Sequence, residues 1–130
     1  MNLWIDDERQ PPDEKGWLWA KTADAAIYLL KYRTDNWEII SFDHDLGVSY
    51  EDSATVIDGG GDPSHSKFET SRPVLTWMIT HNVWPREIVI HSHNPVGVEW
   101  LRGTADRYAP ENVHISVERY DPLDTRLKKR

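Results

Sequence analysis

Apolar residues along this chain fall into short runs that end abruptly in acids or histidines. Leu3-Trp4-Ile5 runs into Asp6-Asp7, Ile39-Ile40-Ser41-Phe42 into Asp43-His44-Asp45, and Ile88-Val89-Ile90 into His91-Ser92-His93-Asn94. Near-continuous apolar runs of this length suit strands buried on both faces of a parallel sheet. Between them the spacing becomes helical. Thr22 is a good N-cap for a helix over Ala23 to Arg33, whose Ala26, Ile27, Leu29 and Leu30 share a face. Pro73 opens a second helix through about Asn82, with Val74, Trp77, Met78 and His81 on one side. Asn94 caps a third, with Pro95 in its first turn and Val98, Leu101, Ala105 and Tyr108 directed at the sheet. The amides at that helix start suit a phosphate. Trp17 to Ala20 and Val113 to Val117 supply two more strands.

Pro11-Pro12 forbids a regular helix after the first strand, so a loop leaves that strand end. From Val48 to Arg72 apolar periodicity fails around Gly59-Gly60-Gly61-Asp62-Pro63, which predicts a long loop beside the strand ends, with His65 and Lys67 in reach of a ligand. The order β, β, α, β, α, β, α, β fits an α/β fold: a flavodoxin-like, doubly wound parallel sheet of about five strands in the spatial order 2-1-3-4-5. Right-handed crossovers then set strands one, three and four side by side. Ligands of such sheets bind in the crevice beyond the carboxyl ends of the strands, so the three polar strand ends converge there. Carboxylates and imidazoles so crowded repel one another or titrate abnormally unless a cation or a phosphate-bearing ligand organises them.

A length of 130 residues suits one domain, over about 1–122, followed by a solvated basic tail at 123–130. The absence of cysteine removes thiolate nucleophiles, disulfides and cysteine-ligated metals. With 22 acidic against 15 basic residues, the net charge of −7 opposes adhesion to duplex nucleic acid. No segment approaches the roughly 18 apolar residues of a membrane span, and the N-terminus lacks the regions of a signal peptide, so a cytoplasmic protein without a membrane partner is expected. Trp4, Trp19, Trp77 and Trp100 fall on apolar faces and are expected in the core, whereas Trp17 and Trp84 are freer.

Asp6, Asp7 and Asp43 offer hard oxygen ligands for Mg²⁺ or Mn²⁺. His44, His91 and His93 titrate near neutral pH and are the candidates for general acid and base. Period-two alternation puts His91 and His93 on one side if the strand continues that far. Asp45 would orient an imidazole or join the metal shell, and Arg9 on the Pro-rich loop would clamp phosphate oxygens with its planar guanidinium. Ser92, through its backbone amide, and Asn94 are the remaining substrate-binding candidates. These groups point to a metal-dependent phosphoesterase, a hydrolase whose partner is a small phosphate-containing substrate.

The acids after strands one and three resemble those of the receiver domain of response regulators, which hold magnesium and accept phosphate. A receiver has Ser or Thr after strand four and Lys near the end of strand five. This chain instead has His91-Ser92-His93-Asn94 and Glu118-Arg119. Jointly, Asp6-Asp7-Glu8-Arg9 with Pro11-Pro12, Asp43-His44-Asp45-Leu46-Gly47 and His91-Ser92-His93-Asn94-Pro95-Val96-Gly97 look more like the cyclic-phosphate processing receiver family, an enzymatic offshoot of the receiver fold. The resemblance covers most of the chain except the Val48 to Arg72 loop and the tail. It implies a receiver-like fold and, as substrate, a cyclic phosphate of a nucleotide or RNA-derived product. The competing readings are a noncatalytic receiver-like signalling module and a protein that binds a cyclic nucleotide without turning it over. His114-Ile115-Ser116-Val117 matches one element of the two-histidine phosphoesterases, which need two, so His114 is read as an ordinary strand residue.

Overall fold

The computed structural model describes residues 1–13, 16–33, 36–48 and 68–118. Along these run β1 (Asn2–Ile5), β2 (Trp17–Ala20), α1 (Ala23–Tyr32), β3 (Ile39–Phe42), β4 (Asp45–Val48), β5 (Phe68–Thr70), α2 (Arg72–His81), β6 (Glu87–Ile90), α3 (Pro95–Tyr108) and β7 (His114–Val117). Five strands form one parallel sheet in the order β2-β1-β3-β6-β7. With the short β4 and β5 set aside, this is the expected 2-1-3-4-5 order.

The register sets Leu3, Leu18, Ile40, Ile88 and Ile115 in one row and Ile5, Ala20, Phe42, Ile90 and Val117 in another. Strand side chains alternate, so both rows share a face. Against it pack Ala26 and Leu30 of α1, Val74, Leu75 and Met78 of α2, and Leu101 and Ala105 of α3, forming the hydrophobic core. Trp4, Trp19, Ser41, Val89 and Ser116 occupy a row on the opposite face.

α1 follows its expected course, with the Thr22 hydroxyl accepting the Ala25 amide at 3.0 Å. α2 starts one residue before Pro73 and buries Leu75 beside Val74 and Met78, while Trp77 is half-buried and His81 exposed. On α3 the buried stripe runs Gly97, Leu101, Ala105, and at this i, i+4 spacing it continues to the half-buried Ala109 rather than to Tyr108, which is 50% exposed. Of the tryptophans expected in the core, Trp4 is buried and Trp19, Trp77 and Trp100 are half-buried; Trp37 is buried too.

The expected loop from Val48 to Arg72 is shorter than the sequence suggested. β4 pairs antiparallel with β5, so both ends of the excursion are tied into a two-stranded ribbon, and Arg72 already belongs to α2. β4 (Asp45-Leu46-Gly47-Val48) and β5 (Phe68-Glu69-Thr70) lack the apolar runs that mark the strands of the main sheet. Residues 49–67, with His65 and Lys67, lie outside the described residues, as does the basic tail. None of the described helices is long and apolar enough to cross a membrane.

Candidate metal centre

Because β1, β3 and β6 are adjacent, the residues that follow them meet. One carboxylate oxygen each from Asp6, Asp7 and Asp43 lies within 4.8 Å of the others. Asp6 is fully buried, and its Oδ1 accepts the backbone amides of Glu8 at 2.9 Å and Arg9 at 2.8 Å. An Asp closing its own turn in this way sets the path of the chain as it leaves β1. Burial opposes its charge, but hydrogen bonds from the His91 ring and from the Arg9 and Glu8 amides outweigh burial and hold its carboxyl below the ordinary range.

The two other acids are shifted the opposite way. Desolvation, then the neighbouring Asp6 charge, pushes Asp43 up to about 7, and desolvation also raises Asp7. Gly47 explains how Asp7 fits: its φ of +76° suits glycine, and a Cβ there would lie 2.9 Å from Asp7 Oδ2. Three hard oxygen donors, two of them short of charge-stabilising partners, fit a divalent cation such as Mg²⁺ or Mn²⁺, which would favour the ionised form of all three.

His91 holds this cluster from below. Its Nε2 lies 3.0 Å from Asp6 Oδ2 and its Nδ1 2.7 Å from Ser41 Oγ. A carboxylate only accepts, so Nε2 carries the hydrogen in the Asp6 contact. The ring stacks on Trp4 with centroids 3.9 Å apart and 4° between planes. The expectation that His91 and His93 share a side is therefore corrected. β6 ends at Ile90, so alternation stops before His93; His91 is buried under the acids, whereas His93 is exposed.

His44 is also buried and doubly engaged. Its Nδ1 is 2.6 Å from Asp45 Oδ1, and its Nε2 accepts from Arg72 Nε at 2.8 Å. Because Arg72 can only donate, the ring hydrogen sits on Nδ1 and points at Asp45. Asp45 in turn accepts from Asn94 Nδ2 at 3.3 Å, and Asn94 Oδ1 caps α3 by accepting the Val96 and Gly97 amides. A continuous set of hydrogen bonds thus links the start of α3 to the start of α2.

The model of the family described as "Cyclic-phosphate processing Receiver domain" matches residues 1–107. The chain belongs to this family. No curated protein and no solved structure matches it. The matched span takes in every residue of the acid cluster and both engaged histidines, and it stops one residue before the end of α3.

The remaining site candidates are less free than their sequence suggested. Arg9 is not displayed on a loose loop: its Nη1 donates to the His91 carbonyl at 3.1 Å, its Nε is 4.0 Å from Asp6 Oδ2, and Trp4 Nε1 donates to its carbonyl at 2.7 Å. The Asp6 turn folds Arg9 back onto the acids. Ser92 is buried, its Oγ accepting the Asn94 amide at 3.1 Å. The expected phosphate-binding amides of α3 are taken by the cap, since Val96 and Gly97 bond to Asn94 Oδ1 and Val98 to the Asn94 carbonyl. A cleft of about 640 Å³ opens beside Ser92, His93, Val98 and Arg102, with none of the three clustered acids in its lining. Sequence reasoning missed Ser41 and Arg72 as parts of this centre, and it quoted Gly47 and Gly97 at the ends of two motifs without giving them a role. A lone polar Ser41 inside an apolar strand was an available signal; the contacts of Arg72 and of the two glycines are created only by the fold.

Proposed function

We propose that this chain is a divalent-metal-dependent phosphoesterase that hydrolyses a cyclic phosphate of a nucleotide or RNA-derived product. The observation that carries the reading is the meeting of Asp6, Asp7 and Asp43 at adjacent strand ends, with Asp43 pushed up to about 7 by burial and by the neighbouring Asp6 charge. A divalent ion held by these three carboxylates would supply Lewis-acid polarisation of a phosphoryl oxygen.

The chain's own groups divide the other tasks. His91 and the Glu8 and Arg9 amides orient Asp6, and Ser41 and Trp4 fix the His91 ring in turn. Arg9 sits over the same carboxylate and tempers its charge. Hydrolysis forms a bond from water to phosphorus and breaks one ring P–O bond; one proton leaves the water and one reaches the departing alkoxide. His93, the exposed imidazole of the three, is the group best placed for that exchange with solvent. His44 can take a proton at Nε2 only when Arg72 moves off it.

A second reading has its own support. Both ring nitrogens of His44 and His91 are engaged, which favours a module that binds a cyclic nucleotide without turning it over. The test is a panel of cyclic nucleoside phosphates and cyclic dinucleotides incubated with the full chain, with and without Mg²⁺ or Mn²⁺. Metal-dependent release of a linear phosphate that disappears in Asp43→Asn supports hydrolysis. Binding without turnover supports the second reading, and neither binding nor turnover removes both.

A further inference from the structure

Among the cations of the described residues, Arg72 is held in an unusual way. It is half-buried, at the first position of α2, and its Nε donates to His44 Nε2 at 2.8 Å. Its guanidinium carbon lies 4.7 Å from the centroid of the Trp100 ring. These two contacts hold the group from two sides. No carboxylate among the described residues pairs with it, and its two terminal amino groups have no hydrogen-bond partner there. A partly desolvated arginine is ordinarily neutralised by a carboxylate; here its one hydrogen-bond acceptor among the described residues is the lone pair of the His44 imidazole.

The surroundings keep that charge unanswered. Arg72 lines an open cleft of about 580 Å³ together with Thr70, Thr76, Trp77, Thr80 and His81. Among the described residues of this lining there is neither Asp nor Glu, in a chain whose net charge is −7. The Thr70 and Thr76 hydroxyls are donors suited to oxyanions, whereas the Thr80 hydroxyl already donates to the Thr76 carbonyl and His81 Nδ1 to the Trp77 carbonyl. Arg9, by contrast, already has its guanidinium against Asp6 and the His91 carbonyl.

We infer that Arg72 is the phosphate-anchoring residue of this protein, presenting its two terminal amino groups to the oxygens of a phosphate ester. The inference rests on the reading above that the ligand carries a phosphate. His44 is then a positioning residue: its Nε2 fixes the guanidinium while Asp45 holds the ring from the other side. The planar, two-pronged donor geometry of arginine, which lysine lacks, is what the arrangement uses.

The experiment titrates the full chain with inorganic phosphate and with a cyclic nucleoside monophosphate, with and without Mg²⁺, in the wild type, Arg72→Gln and Arg72→Lys. Calorimetry reads affinity, and the arginine side-chain N–H resonances in NMR spectra read the contact directly. Mn²⁺ affinity is measured separately in all three proteins. The expected result is a loss of about 10–100-fold in ester affinity for Arg72→Gln, the cost of removing charge-assisted hydrogen bonds, with an intermediate loss for Arg72→Lys. Mn²⁺ affinity is unchanged, and the resonance missing from Arg72→Lys moves when the wild type is titrated. Wild-type affinity in Arg72→Gln, a stationary Arg72 resonance, or no binding of either probe by the wild type overturns the inference. Ester binding that depends on Arg72 without turnover removes the hydrolase reading and leaves the anchoring role intact.

Discussion

Gly97 of α3 lies against the His44 imidazole so closely that a Cβ added to it would fall 2.6 Å from His44 Nδ1, and nearer still to Cγ. The glycine is therefore a condition for seating α3 over the residue that follows Asp43. Replacing it with alanine should cost about 1–3 kcal/mol, because overpacking a tight contact outweighs the better helix propensity of alanine. Gly103, on the same helix with nothing within 4 Å of its would-be Cβ, supplies the control. Gly103→Ala should stabilise by about 0.5–1 kcal/mol. Urea denaturation of both variants decides this, and shifts of the same sign would contradict the contact.

His91→Ala should destabilise the protein by about 2–4 kcal/mol, since it removes the Trp4 stack and leaves Asp6 and Ser41 short of a buried partner. Divalent-metal affinity should fall by about 10–100-fold, the usual effect of losing a group that orients a ligand. Chemical denaturation and Mn²⁺ titration read the two effects. A variant as stable as the wild type, with unchanged metal binding, would show that the stack is incidental.

Without metal, stability should decline with rising pH because of Asp43. Its carboxyl ionises at about 7 in the fold and at an ordinary 3.8 when exposed, so between these values the folded chain holds the extra proton. Stability from this group is full below 3.8 and is lost as pH rises through about 7. Asp6 has the opposite sign, its contribution being lost as pH falls below the ordinary value. Melting curves in a chelator should therefore show wild type losing stability relative to Asp43→Asn across that window. Mg²⁺ or Mn²⁺ should restore it in the wild type alone. Parallel pH profiles for the two proteins would refute the assignment.

Phosphoacceptance and hydrolysis part on one reagent. A receiver-type acceptor at Asp43 would give a labile phosphoprotein on incubation with acetyl phosphate and Mg²⁺. A hydrolase that uses water as the nucleophile should accumulate none, as read by mass spectrometry of the intact chain. Substitution of His93 should then lower turnover by about 10²–10⁴-fold and alter its pH profile. If His44, His91 and His93 can each be replaced without either change, proton transfer by histidine is excluded.

The run Leu3-Trp4-Ile5 followed by Asp6-Asp7, and its counterparts before Asp43 and His91, carried enough local information to predict the parallel sheet, its strand order and the meeting of the acids. Thr22 and Asn94 marked their helix starts because a cap is a contact within a few residues. β4 and β5 were not legible, since neither carries an apolar run and their pairing joins residues far apart in the chain.

What the sequence determined was which residue types stand at the strand ends, because hydrophobic alternation and capping are local. What only the tertiary structure decided was their occupation. It turned His91 under Asp6, drew Arg9 onto the acids, brought Arg72 to His44 across 28 positions, and made Gly97 the only residue type that fits beside that ring. A side chain's partners depend on packing between distant segments, and that packing, not the identity of the residue, determines whether a polar atom is already satisfied or still available to a ligand.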